Sequence, residues 1–411
     1  QVKEIVSEGA YNMGDGETPS VAESRALLNA KRIALEQAGT YVESYTKVEN
    51  VQLTKDEIQV LASGIMEVEI LDKKRTIVGD GFRFWVKIKA RVNPDNIKAM
   101  ANKVKEKSVV EDYKKIQEAY DKSQREIGEL KKQLAQTKDK KEKKQVEAKI
   151  SDDERLFQAN EWFEKGYKYG LNKEYDKAIE AYTSAIALEP NGTGAYNNRG
   201  AAYADKGQYD RAIEDYNKAI ALDPNLSEPY YNRGAAYADK GQLDRAIEDY
   251  NKAIAINPNN ADAYYNRGNT YYKKGQYDRA IENYNRAIAL NPNYAKAYNN
   301  RGLAYNDKGQ YDRAIEDYNK AIALDPNYAE AYVNRGIAYG NKGQYDRAIE
   351  DYNIGIAINP NLAKVYGNRG LAYFFSGNRG RAISDFQKAC DLGSEDGCKA
   401  FKALQKVLQD R

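Results

Sequence analysis

Between Ala159 and Asp396 the chain repeats itself every 34 residues, seven times over. GAYNNRGAAYADKGQYDRAIEDYNKAIALDPN (194–225) and PYYNRGAAYADKGQLDRAIEDYNKAIAINPN (229–259) are nearly the same text. A fixed period of this size specifies stacked helix pairs, because no unit can bury its apolar face alone. The units fall at 159–192, 193–226, 227–260, 261–294, 295–328, 329–362 and 363–396.

The spacing within a unit has a physical logic. Gly200 and Ala212 are small where two helices must approach, and Tyr203 and Tyr216 fill the space between them. Ala219 lets the second helix pack on the next unit. Gly207 suits the left-handed conformation that closes the first helix. Asp210 falls where the second helix expects an N-cap, and Pro224 stops that helix. The set Tyr196, Gly200, Tyr203, Ala212, Tyr216, Ala219 and Pro224 recurs as Tyr230, Gly234, Tyr237, Ala246, Tyr250, Ala253 and Pro258. In this the chain resembles the tetratricopeptide repeat, a pair of antiparallel helices. The resemblance implies a mainly α, right-handed helical-repeat solenoid that binds protein and is not an enzyme. The departures are at the ends and in one middle unit. The first unit has Trp162 in a Tyr position and Lys173 for the turn glycine, so its helix is expected to run on from the preceding segment. The sixth has Gly355 for Ala, an expected loose point, and the seventh has Ser394 for Pro. After Gly393, Phe401, Leu404, Val407 and Leu408 give a capping helix (397–411) one apolar face.

Residues 1–102 read as a small α+β domain. Val2–Gly9 is a strand; Gly14, Asp15, Gly16 and Pro19 break the chain. Ser20 is placed to cap a helix with a stripe of Ala22, Ala26, Ala30, Ile33, Ala34 and Ala38. Thr54 opens a shorter helix, and strands follow at Ile65–Val78 and Phe82–Val92. In the last, Phe82, Phe84, Val86, Ile88 and Ala90 alternate with polar or large residues, the period-2 pattern of a half-buried sheet. AKRIALEQAGTYVES, LTKDEI and the closing strand pair resemble a small domain near the amino terminus of bacterial envelope proteins of flagellar-assembly and lipoprotein type. That resemblance implies export and scaffolding.

Residues 103–158 carry a heptad seam: Val109, Tyr113, Ile116, Tyr120, Ser123, Ile127, Leu130, Leu134 and Thr137. The expectation is one long, coiled-coil-like helix, roughly 80 Å if continuous at about 1.5 Å per residue. Its seam needs a cover, from a second copy, the repeats or the N-terminal domain. The lysines of 138–144 read as a solvated face.

Lys plus Arg number 64 and Asp plus Glu 61, so no strong basic excess points to nucleic acid. The absence of histidine removes the commonest general base and metal ligand, and no metal or other cofactor is expected. No apolar run approaches the roughly 20 residues of a membrane span. Gln1 in place of Met fits a chain processed on export and equally a trimmed one.

The tetratricopeptide resemblance places Asn198, Asn232, Asn266, Asn300, Asn334 and Asn368 on the concave face. There their amides are suited to grip the backbone of an extended peptide, or else to tie neighbouring helices together. The same units carry Arg199, Arg233, Arg267, Arg301, Arg335 and Arg369, expected to pair with acids such as Asp215 or Glu214. Further along the groove, Phe374 and Phe375 are suited to anchor an apolar group or to pack on the capping helix. The run ACDLGSEDGC resembles the bridged turns of bacterial cysteine-rich helical repeats, which implies a disulfide between Cys390 and Cys398 and an oxidising compartment. Asn191 and Asn225 match the glycosylation acceptor pattern. Two functions follow as expectations. One is an exported, periplasmic or cell-surface scaffold that binds a protein segment. The other is a structural subunit whose copies assemble into a fibre or array, through the strand at Val2–Gly9 and a sheet edge near Phe82.

Overall fold

The computed structural model describes residues 2–48, 52–79, 81–101 and 107–409. The chain forms two compact bodies, 1–223 and 224–411.

In the first body, β1 (Lys3–Met13), β2 (Met66–Val78) and β3 (Gly81–Val92) make an antiparallel sheet in the order β1-β3-β2. Phe84, Val86, Ile88, Ala90 and Val92 are buried, as the alternation demands. Helix α1 (Pro19–Val48) lies on that face. Its alanine stripe is fully buried, except that Ile33 points outward and is exposed. Small residues are required here because strand and helix nearly touch: a Cβ on Gly9 would lie 2.3 Å from the Ala26 carbonyl oxygen. Ser20 is inside α1 rather than its cap, since the Thr18 carbonyl already takes the first helical bond. Helix α2 (Lys55–Ile65) opens with a reciprocal cap between Thr54 and Glu57, and α3 (Pro94–Ala101) starts on a proline.

Two expectations need correction. Phe82 lies on β3, the central strand, and is no edge; the edges are β1 and β2. On β2, Leu71 bulges out of register and Lys73, Lys74 and Arg75 line the strand, features that oppose strand pairing between copies. The long helix is also two helices, α4 (Lys107–Gln136) and α5 (Lys140–Leu171). The break falls where Asp139 accepts from the backbone N–H groups of Lys141 and Glu142 at 2.9 and 2.8 Å, capping α5. The pair folds back on itself through Ile127, Leu134, Val146 and Ile150. The rest of the seam, Val109 to Tyr120, enters the core of the sheet and α1 together with Phe157 and Tyr167 of α5. The cover is therefore the chain itself.

Arg25 fixes this docking. Its side chain is 0% exposed, donates to Asp153 at 2.6 Å and Ser123 at 3.1 Å, and stacks 4.4 Å from the Phe157 ring. Glu17, 3.8 Å from Arg25, also binds Lys131 and accepts from the Tyr11 hydroxyl. Burial lifts the Asp153 and Glu154 carboxyls above the usual carboxylate range. α5 then continues without a break into the first repeat unit. It pairs with α6 (Tyr175–Leu188), and α7 (Thr193–Asp205) pairs with α8 (Tyr209–Leu222).

The second body holds five more helix pairs: α9 (Ser227–Asp239) with α10 (Leu243–Ile256), α11 (Ala261–Lys273) with α12 (Tyr277–Leu290), α13 (Ala295–Asp307) with α14 (Tyr311–Leu324), α15 (Ala329–Asn341) with α16 (Tyr345–Ile358), and α17 (Ala363–Phe375) with α18 (Arg379–Asp391). Helix α19 (Glu395–Gln409) closes it, packing Leu404 against Phe386; the side chains of Val407 and Leu408 lie outside the described residues. Gly355 is not a loose point, because Val333 takes the space, 2.9 Å from where a Cβ would stand. Asp210 sits inside α8 rather than at its cap. Its counterparts Asp244, Asp278 and Asp312 instead pair with Lys274, Lys308 and Lys342 of the following turns.

Each unit closes on one contact. A Cβ on Gly302 would lie 2.7 Å from the Tyr318 ring, and Gly200, Gly268 and Gly336 meet Tyr216, Tyr284 and Tyr352 at the same distance. Gly302→Ala gains about 1 kcal/mol of helix propensity. It also forces a rigid ring aside, at about 1–3 kcal/mol. The expected result is a net loss of stability in urea denaturation. An unchanged or raised midpoint would show that the helices separate freely.

Candidate functional site

The first helix of units two to seven carries its asparagine half-buried, and three of these in the second body reach backwards. Asn266 Nδ2 donates to the Tyr231 hydroxyl at 2.8 Å, Asn300 Nδ2 to the Tyr265 hydroxyl at 3.0 Å, and Asn334 Nδ2 to Asn299 Oδ1 at 3.0 Å. Each partner lies 35 residues earlier, one unit back. Asn300 also donates to Asn269 Oδ1 at 2.9 Å, and Asn269 Oδ1 accepts from the Tyr284 hydroxyl. The ladder thus stitches first helices together. One rung lacks a partner. The residue that Asn368 would meet is Val333, and Asn368 Nδ2 is buried with no hydrogen bond. Asn198, in the first body, accepts from Asn197 at 3.2 Å, and Asn232 is half-buried on α9.

Asn266 and Asn300 also line a cavity of about 530 Å³ across α9, α11 and α13. Asn269, Thr270, Tyr272, Tyr250 and Tyr284 add to its polar and aromatic lining, with Ala235, Ala238 and Leu303 as the apolar part. Asp239 and Lys273 bring one charge of each sign. The Tyr272 hydroxyl donates to Asp307 at 2.5 Å, and burial pushes the Tyr231 phenol, which accepts from Asn266, up to about 12. Such a lining can hydrogen-bond a polypeptide while burying apolar side chains. Asn269 and the tyrosines at 231 and 265 were not singled out from the sequence. Aligning the units shows the signal: 197, 231, 265, 299 and 333 read Asn, Tyr, Tyr, Asn and Val on an otherwise constant frame.

The repeated arginines form clips. Arg301 Nε and Nη2 grip the Asp317 carboxylate at 2.7 and 2.5 Å, while Nη1 donates to Asn285 of the previous unit at 2.6 Å. Arg335 and Arg369 do the same with Asp351 and Asn319, and with Asp385 and Asn353. Arg199, in the first body, grips Asp215. The carboxylate bonds tie the two helices of one unit, and the Nη1 bonds of Arg301, Arg335 and Arg369 reach the unit before.

Phe374 and Phe375 are absent from the cluster under α19. Phe375 stacks on Tyr345 at 5.5 Å, and the two rings are 39% and 60% exposed. Asn191 and Asn225 are exposed at unit boundaries. Cys390 and Cys398 are joined, with Cα atoms 4.5 Å apart, and tie α18 to α19.

The repeat frame matches known families. The family described as "TPR repeat" matches at 166–207, 200–241, 234–275, 268–306 and 302–343, and "Tetratricopeptide repeat" at 329–362 and 363–393. This is a tetratricopeptide-repeat protein. No curated protein matches it. Among solved structures, MamA is 35% identical, over 40% of this chain and 96% of its own, with a TM-score of 0.37. YrrB, described as a TPR protein with an unusual peptide-binding site, is 28% identical over 46% and 97%, at 0.40. A tetratricopeptide-repeat protein of Parabacteroides merdae is 23% identical over 60% and 99%, at 0.49.

The ladder of this tetratricopeptide protein makes opposite predictions at two rungs. Asn300→Leu removes the bonds to the Tyr265 hydroxyl and to Asn269 and should cost about 1–3 kcal/mol, whereas Asn368→Leu removes an unsatisfied buried amide and should gain about 1 kcal/mol. Equal losses at both positions in chemical denaturation would refute the stitching role.

Proposed function

We propose that this chain is an exported, non-enzymatic scaffold that holds an extended polypeptide segment along the first helices of residues 227–328. A tetratricopeptide array is typically a protein-binding scaffold. The observation that carries the finer reading is the cavity between Asp239 and Lys273. Its amides and phenols suit main-chain groups, and its two charges suit a segment with both signs. The bond between Cys390 and Cys398 supports an oxidising compartment. Peptides selected on the full chain from a displayed library test this. Ala238→Trp fills the cavity and should weaken the selected peptides at least about tenfold, or about 1.4 kcal/mol. Lys273→Glu should shift selection away from acidic residues. Peptides that bind the Ala238→Trp chain as well as the parent chain lie elsewhere, and the reading falls.

A second reading, assembly of copies into a larger structure, is supported by the near-identity of the middle units and by the exposed pair Phe374 and Phe375. Sedimentation velocity of the chain alone decides it. Assembly predicts large species that disappear in Phe374→Ser/Phe375→Ser; a monodisperse monomer at every concentration ends it.

A further inference from the structure

The unit at 261–294 lacks an acid that its neighbours share. Arg233, Arg301, Arg335 and Arg369 each hold a carboxylate 16 residues on, through both Nε and Nη2. Opposite Arg267 the residue is Asn283. Arg267 Nε donates to Asn283 Oδ1 at 2.7 Å and Nη1 to Asn251 Oδ1 at 2.5 Å. The other arm of the amide, Asn283 Nδ2, donates to the Arg279 carbonyl at 2.8 Å. Arg267 Nη2, which in the other units meets the second carboxylate oxygen, has no acceptor among the described residues. The half-buried guanidinium is left without the two-point carboxylate its neighbours hold, and Glu282 acts on it only through space. Burial draws it below the usual arginine range, whereas the carboxylate bonds of Arg233, Arg335 and Arg369 hold those groups above it.

A second change in the same unit converges on the first. Arg286 stands where the flanking units have Lys252 and Lys320. Arg267 and Arg286 lie over the Tyr264 ring at 5.4 and 5.8 Å, and Arg279 lies 5.6 Å over Tyr271. These groups line a cavity of about 520 Å³ that shares no residue with the groove at Asn266. Three arginines face it with one carboxylate, Glu282. The equivalent group of the next unit, Arg301, Arg313 and Lys320, has two, Glu316 and Asp317.

We infer that this cavity binds a small oxyanion, carboxylate or phosphoryl, in place of the missing aspartate. A half-buried planar guanidinium that lacks a paired carboxylate and keeps an open donor edge favours an oxyanion over a neutral ligand. Nη2 of Arg267 supplies the inner donor. Arg279 and Arg286 close over the anion from the rim, and Tyr264 and Tyr271 form the walls.

Titration calorimetry of the full chain with inorganic phosphate, and separately with acetate, tests the inference. One saturable site per chain, weakened by added chloride, is expected. Tighter binding of phosphate assigns a phosphoryl group, and tighter binding of acetate a carboxylate. Asn283→Asp places a covalent carboxylate on Arg267; it should reduce the affinity at least tenfold while keeping or raising the melting temperature, so the loss is not a folding failure. Arg286→Gln should weaken binding with the fold intact. Binding of neither anion, or equal binding by the Asn283→Asp chain, overturns the inference.

Discussion

An aromatic ring lying on the backbone of a glycine holds every repeat unit of this protein together. In the seventh unit the ring is Phe386 on Gly370, and in the first it is Tyr182 on Gly166. The contact lets two helices approach closely enough for Ala178, Ala212, Ala246 and their counterparts to be fully buried. A core made so largely of alanine has little area per residue. It gains stability mainly because each unit is buried again by its neighbours. The Arg–Asp clips tie the helices within a unit, while the Arg–Asn bonds and the asparagine ladder fix how one pair is set on the next. The exposed Lys–Asp pairs at the turns contribute at most about 1 kcal/mol each.

The N-terminal part joins this scheme through a single helix. α5 is at once the second arm of a hairpin, a wall of the sheet domain's core and the first helix of the repeats. Arg25 makes that triple role specific. A buried ion pair seldom adds much net stability compared with apolar residues of the same shape, but removing one partner costs about 3–5 kcal/mol. Arg25 therefore selects one way of docking the hairpin more than it strengthens it.

The repeats combine a constant frame with a few free positions. Frame residues, the glycines, ring tyrosines and clip arginines, set the stacking. Residues such as Tyr272, Lys273 and Asp239 vary without disturbing it, and they line the groove proposed to hold a peptide. Asn283 differs because it alters the frame itself. A change there leaves the Arg267 guanidinium without its paired carboxylate.

The repeat period, the helix pairs, the turn glycines and the family could all be read from the order of residues, because those features repeat locally every 34 residues. The strand alternation of β3 and the helix start at Thr54 were legible because they too are short-range patterns. What lay outside that reading depended on distant partners. The heptad of α4 required a cover, but only the fold shows that Asp139 turns the chain and that α1 and α5 supply it. Periodicity records which face of a helix is apolar and is silent on what lies against it. The asparagines were equally ambiguous: a repeated amide suits a ligand or a neighbouring helix. Tertiary structure assigned three of them to residues one unit back and left the Asn368 amide without a bond, because a hydrogen bond needs an acceptor within about 3 Å and no local pattern supplies that distance.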